Sequence, residues 1–200
     1  MDNSLESIGN EKRLRICVLG KTMVGKTCLI NRFLNGKYQV EHDRTIEENY
    51  SKYLKIRKDD CMFEITDTGG LDEYLSSLDI WINNSDGFLL VYSINDKDSF
   101  DGIKMRYENI LKYKKSKKFR ALVVGNKTDL ENGEEKEERK VNKEEVDKFC
   151  EENNLKCIEV SAKNNDNKDE INQIFMELGE NVYDIKYSRR KGGRRFCCFC

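Results

Sequence analysis

Gly20-Lys21-Thr22-Met23-Val24-Gly25-Lys26-Thr27 places two glycines four residues apart, the second followed by Lys-Thr. Glycines at that spacing let the backbone curl so that several N–H groups point inward at a polyphosphate. Lys26 can reach the β- and γ-phosphates as a cation, and Thr27 offers its hydroxyl to Mg²⁺. The flanks supply the context such a loop requires. Leu14-Arg15-Ile16-Cys17-Val18-Leu19 is a short apolar run suited to a buried strand, and Cys28-Leu29-Ile30-Asn31-Arg32-Phe33-Leu34 spaces its apolar residues as a helix does. Strand, loop and helix in that order predict a nucleotide-binding α/β domain.

Outward from the loop, the pattern predicts strands over 14–19, 49–57, 61–66, 87–93, 120–125 and 157–160. It predicts helices over 26–35, 73–83, 97–113, 142–153 and 168–185. Lys58-Asp59-Asp60 is the turn signal that makes the second and third strands an antiparallel hairpin. Elsewhere strands alternate with helices, which implies right-handed crossovers and parallel pairing. Gly87-Phe88-Leu89-Leu90-Val91-Tyr92 and Ala121-Leu122-Val123-Val124 are continuous apolar runs, as strands covered on both faces should be. The expected fold class is therefore the α/β fold of P-loop NTPases. It has a six-stranded, mainly parallel sheet with one antiparallel edge strand and helices on both faces. Glu131 to Lys140 reads as a solvated, charge-rich excursion.

Two hundred residues suffice for one domain with a proper core. The expected division is a flexible extension over 1–12, the nucleotide-binding domain over 13–185 and a basic tail over 186–200. The tail holds Lys186, Arg189, Arg190, Lys191, Arg194 and Arg195 and no acid; with the whole chain at −1, its positive charges leave −7 on the rest. An acidic body with a basic tail argues against nucleic acid as the main partner and for a tail that meets an anionic surface. No apolar run has transmembrane length, and Met1-Asp2-Asn3-Ser4 resembles neither a signal peptide nor a myristoylation site. Cys17, Cys28, Cys61, Cys150 and Cys157 are scattered without metal-site spacing and read as reduced thiols of a cytosolic protein. Cys197, Cys198 and Cys200 crowd the end and are a separate signal.

In a parallel sheet of this kind the ligand lies at the carboxyl ends of the strands. Three later strand ends carry chemistry. Asp67-Thr68-Gly69-Gly70 offers a carboxylate that can hold Mg²⁺ through water, and a glycine, Gly70, whose N–H can approach a γ-phosphate. Asn126-Lys127-Thr128-Asp129 places a carboxylate able to accept from guanine N1–H and the 2-amino group together. Adenine lacks that donor pair and would leave a buried charge unpaired. Ser161-Ala162-Lys163 follows the last strand.

With these motifs in order, the chain resembles the Ras-like small GTPases, and within them the Ras subfamily, over about residues 13–185. Gly87-Phe88-Leu89-Leu90-Val91-Tyr92-Ser93-Ile94, Ser99-Phe100 and Thr45-Ile46-Glu47-Glu48-Asn49-Tyr50 are similar to that subfamily in particular. The connection from Asp129 to Ser161 is a few residues longer than in Ras and shorter than the helical insert of Rho proteins.

The resemblance implies a GTP/GDP switch with Mg²⁺ as cofactor. Thr22, Met23, Val24, Gly25, Lys26, Thr27 and Cys28 would surround the phosphates. Thr27, Thr45 and Asp67 would hold the metal, and Thr45 and Gly70 would be the two latches that relax when the γ-phosphate is lost. Tyr38, where the family usually has Phe, would stack edgewise near the base. Asn126, Lys127, Asp129, Ser161, Ala162 and Lys163 would form its pocket. Ile46, Glu47, Glu48 and Tyr50 would face protein effectors. His42 reads as a solvated loop residue where an aromatic often closes over the phosphates. An exchange factor, an activating protein and a monomeric state are implied as well.

The hydrolytic set implied by the family is Lys26, Thr45, Gly70 and a glutamine in the next position, where this chain has Leu71. Ras is itself the standard example of that glutamine, which orients the attacking water. Leucine has no donor or acceptor for this. Gly69 replaces the usual alanine, and Thr22 and Met23 stand where Ras has two glycines. These departures predict slow hydrolysis, with a non-hydrolysing, GTP-bound scaffold as the alternative.

Phe196-Cys197-Cys198-Phe199-Cys200 leaves two lipidation readings open: a C-a-a-X box opening at Cys197, or a C-x-C end at Cys198 and Cys200 that resembles Rab proteins. Either implies the cytoplasmic face of a membrane, the plasma membrane being the leading choice.

Overall fold

The computed structural model describes residues 11–38, 45, 47–70, 78–115, 118–132 and 137–188. Thirteen elements follow in order, with one correction to the hairpin. β1 (Lys12–Leu19) leads through the glycine loop into α1 (Lys26–Asn35). β2 (Glu47–Ile56) and β3 (Asp59–Thr68) then pair antiparallel in an unbroken register from Glu47↔Thr68 to Ile56↔Asp59. The turn is therefore Arg57-Lys58, and Asp59 and Asp60 belong to the strand rather than to the turn. Arg57 takes the left-handed conformation (φ 56°) that closes so short a link. α2 (Leu78–Asn84), β4 (Gly87–Ser93), α3 (Lys97–Tyr113) and β5 (Arg120–Asn126) follow. The part of the second expected helix over 73–77 lies outside the described residues.

The chain ends with α4 (Asp129–Asn132), α5 (Lys143–Asn153), β6 (Lys156–Glu159), a 3₁₀ turn (Asn165–Asn167) and α6 (Lys168–Tyr187). The single-turn α4 and the 3₁₀ turn were not legible, being shorter than one hydrophobic repeat. Asn142 caps α5 rather than opening it, its side chain accepting the N–H of Glu144. α6 runs two residues past its expected end.

Strand order is β2-β3-β1-β4-β5-β6, all neighbours parallel except the β2–β3 pair. β4 shows why the sheet is covered on both faces. Leu89 and Val91 point into a core with Leu29, Ile30 and Phe33 of α1 and Ile174, Phe175 and Leu178 of α6. Phe88, Leu90 and Tyr92 point into the other, with Trp81 of α2, Phe100 and Ile103 of α3 and Val146 of α5. On the first face Phe33 stacks on Phe175 with ring centroids 4.3 Å apart. Each such side chain, fully buried, contributes roughly 1.5–3 kcal/mol. The order changes direction at β1, which has β3 on one side and β4 on the other, so a crevice opens above its carboxyl end.

Candidate nucleotide site

The crevice at the end of β1 is a cavity of about 680 Å³. At its floor, Gly20 to Gly25 curl around the Lys26 ammonium, which donates to the carbonyls of Gly20 (3.1 Å) and Lys21 (3.0 Å). Gly25 has φ 94°, and a Cβ there would lie 2.2 Å from Asn126 Nδ2, so only glycine fits. Met23 also adopts a left-handed conformation (φ 63°), and its side chain is 84% exposed on the cavity rim. α1 begins where the N–H of Leu29 reaches the carbonyl of Gly25, so its positive end faces the cavity. Lys26 itself is 5% exposed. Burial pulls its pKa down to about 8; the Asp67 charge opposes the shift and Arg106 adds to it.

Beside the loop, hydroxyl and carboxylate oxygens converge. Thr27 Oγ1 donates to Asp67 Oδ2 at 2.6 Å and lies 3.3 Å from Thr45 Oγ1. Asp67 is fully buried at the end of β3. One carboxylate with two hydroxyls is a hard-oxygen set suited to Mg²⁺, which keeps waters and takes further oxygens from phosphates. Among the described residues no group of three His, Cys, Asp or Glu could hold a metal. Thr68 and Gly69 line the cavity. Gly70 sits behind them with φ 72°, where a Cβ would meet Gly20 O and Lys26 Nζ at 2.5 Å.

At the other end of the cavity, Asn126 joins the loops. Its Nδ2 donates to the carbonyl of Val24 (2.8 Å), and its Oδ1 accepts from the N–H of Ala162 (3.0 Å). Asp129 accepts from Ser161 Oγ (2.5 Å), and that hydroxyl in turn accepts from the amides of Lys163 and Asn164, both at 3.1 Å. Asp129, Lys127, Cys28, Tyr38, Ala162 and Lys163 line this end, with Lys127 in a left-handed conformation (φ 73°). Val24 and Ser161 are buried beneath it and act as supports.

The sequence model of the Ras family matches residues 15–184, the span that holds every piece of this cavity. The chain belongs to the Ras family. It therefore has the family's P-loop fold and is a GTP-binding switch protein, a GTPase.

The residues expected to face effectors start β2, the edge strand of the sheet. Glu47 and Glu48 are exposed at the start of β2 and Tyr50 is half-buried. Glu47 accepts a hydrogen bond from Trp81 Nε1 of α2 at 2.8 Å, and Tyr50 donates to Glu48. Ile46, His42, Leu71, Cys197, Cys198 and Cys200 lie outside the described residues. Among the described residues, no helix is long and apolar enough to cross a membrane. Cys17, Cys28, Cys61, Cys150 and Cys157 form no disulfide.

Other residues of this Ras-family site gave no sign in the sequence. Arg32, 2% exposed on α1, donates to the carbonyl of Ala162 from Nε (3.1 Å) and Nη2 (2.8 Å). It also reaches the carbonyl of Lys163 (3.0 Å) and Asn165 Oδ1 (2.8 Å), so it holds the loop after β6 against α1. No local signal in the sequence marks it. Arg106 of α3 is buried behind Gly70 and donates to its carbonyl at 3.4 Å.

The excursion over 131–140 is not simply solvated. Arg139 bridges Glu131 (2.7 Å) and Glu159 (2.8 Å), Lys140 and Val141 donate to the carbonyl of Ile94, and Leu130 and Glu137 line the cavity. Ion pairing ties Arg139 to Glu131 and Glu159, which composition alone does not reveal.

Proposed function

We propose that the chain is a membrane-anchored, Ras-subfamily switch that carries GTP or GDP with Mg²⁺, signals through protein effectors and hydrolyses GTP slowly. The observation that carries this reading is an imbalance. Lys26, Thr27, Thr45, Lys127 and Asp129 line one cavity, which supports nucleotide binding, while the position after Gly70, which should orient water, is Leu71.

Lys26 would balance the phosphate charge, and Asp129 would read the guanine edge from a position set by Ser161. Thr27, Thr45 and, through water, Asp67 would hold Mg²⁺, which supplies charge neutralisation on the β- and γ-phosphate oxygens. In hydrolysis a water oxygen bonds to the γ-phosphorus as the bond to the β–γ bridging oxygen breaks, giving GDP and phosphate. Leu71 can neither accept a proton from that water nor orient it. Thr45 bonds to Thr27 and lies two residues ahead of Glu47, so loss of the γ-phosphate would loosen the effector strand.

Single-turnover hydrolysis compared with Leu71→Gln tests the reading. The variant is expected to be clearly faster, and rates equal within about a factor of two would overturn it. The absence of that amide also favours a second reading, a non-hydrolysing GTP-bound scaffold. Nucleotide extracted from the native protein separates the two, GDP marking a working switch and retained GTP a scaffold. For the tail, intact mass of the native protein decides the lipid. Loss of Cys198 to Cys200 marks the C-a-a-X box, and retention with two lipids marks the C-x-C end.

A further inference from the structure

At the end of the sheet opposite the nucleotide cavity, β1, β4 and β5 begin among basic side chains. Asp86, just ahead of β4, is bridged by Lys186 (2.6 Å) and Arg15 (3.5 Å), and its carbonyl accepts the N–H of Arg120 (3.3 Å). Lys114 donates to the carbonyl of Asn83 (3.2 Å). Burial lowers its pKa; Asp86 opposes this, while Arg15 and Lys186 add to it. Lys112, Lys115, Lys118 and Arg120 are exposed around it, and a concavity of about 640 Å³ opens among Asn83, Lys112, Tyr113, Lys114 and Lys115. Asp86 is already bridged twice, and Glu108 lies one helical turn back from Lys112. Lys112, Lys115 and Lys118 remain exposed cations. Leu111 (42% exposed) and Tyr113 (37% exposed) belong to the same stretch.

We propose that this face docks on an anionic lipid bilayer, Lys112, Lys115 and Lys118 meeting headgroup phosphates while Leu111 and Tyr113 enter the interfacial layer. Two observations favour lipid over nucleic acid. Apolar and aromatic tips among lysines suit the headgroup boundary. The basic tail also departs from the rim of the same face, since Lys186 holds Asp86 and the carbonyl of Arg13 one residue before α6 ends. The proposal builds on the anchored-tail reading and adds an orientation to it. β4 runs seven residues, about 20 Å, from this face toward the cavity, so a docked domain would turn its nucleotide and Glu47 away from the membrane.

The test uses the full chain made without lipid, loaded with GDP and sedimented with vesicles of phosphatidylcholine, with or without phosphatidylserine. Binding is expected only with phosphatidylserine. It should fall at least about tenfold in Lys112→Gln/Lys115→Gln/Lys118→Gln with the tail intact. The matching triple Lys→Arg variant should bind as the parent does, and GDP affinity should be unchanged throughout. No binding to either vesicle, or equal binding by the Gln variant, would overturn the proposal. So would tighter retention by a short DNA duplex than by phosphatidylserine vesicles at the same salt. Because the protein carries no lipid, failure of the lipidated-tail reading would show in the mass of the native protein and not here.

Discussion

Asn126 donates to the main-chain carbonyl of Val24 at 2.8 Å, across 102 residues of sequence. The same amide accepts from Ala162, so one buried side chain joins the glycine loop, the end of β5 and the loop after β6, and with them the two ends of the cavity.

Asn126→Ala should leave a carbonyl and an N–H unpaired in a dry place, at a cost of ~2–4 kcal/mol. GDP release is expected to quicken by roughly ten- to a hundredfold, read by displacement of a fluorescent GDP. Asn126→Asp keeps the acceptor for Ala162 but loses the donor for Val24, and should fall between the two.

Arg32 is the corresponding strut from α1. Arg32→Met removes donors to Ala162, Lys163 and Asn165 and is expected to cost ~2–4 kcal/mol by urea unfolding. Arg32→Lys should not restore stability, because an ammonium cannot span the fork of carbonyls that a guanidinium reaches. Recovery by lysine would show that charge, not geometry, is what matters there.

Lys26 sets a pH dependence. Burial holds its pKa down to about 8, below the ordinary 10.5. Between those values the unfolded chain binds more protons, so nucleotide-free stability should rise with pH across that window as the buried charge is lost. A polyphosphate restores the proton, so GDP affinity should fall above about pH 8, at most tenfold per pH unit. Calorimetric titration of GDP should show this slope in the parent and a flatter one in Lys26→Met. An affinity that is level from about pH 7 to pH 10 in the parent would contradict the assignment.

Trp81 is the chain's one tryptophan and donates to Glu47. Exchange of GDP for a non-hydrolysable GTP analogue should shift its emission if Thr45 tightens the strand that carries Glu47. Glu47→Ala should abolish that difference while leaving nucleotide affinity within about threefold, since Glu47 does not line the cavity.

Much of this was readable from local pattern. The helices over 26–35 and 97–113 and the strand over 87–93 begin and end where their spacing predicts, because each carries its own periodicity and boundary residues. The hairpin turn was misplaced because two aspartates look like a turn. The antiparallel register instead uses Arg57-Lys58. Glu137 sits in an acidic run that reads as solvent-facing, yet it lines the cavity; the Arg139 bridges that hold the neighbouring chain connect residues 8 and 20 positions apart.

The sequence by itself determined the order of the six strands and the longer helices, the phosphate-loop motif, the carboxylate of Asp129 after β5 and the replacement at Leu71. Each is a short-range statement, since glycine conformations, strand and helix periods and a residue's own chemistry are fixed within a few neighbours. Only the tertiary structure decided what holds the site together, Asn126 on Val24 and Arg32 on the loop after β6, and that Glu47 accepts from Trp81. It also gathered Arg15, Lys114, Arg120 and Lys186 onto one face. Periodicity reports that a side chain is buried or exposed along its own element. It does not name the partner across space, and these partners are set by the strand order that brings distant segments together.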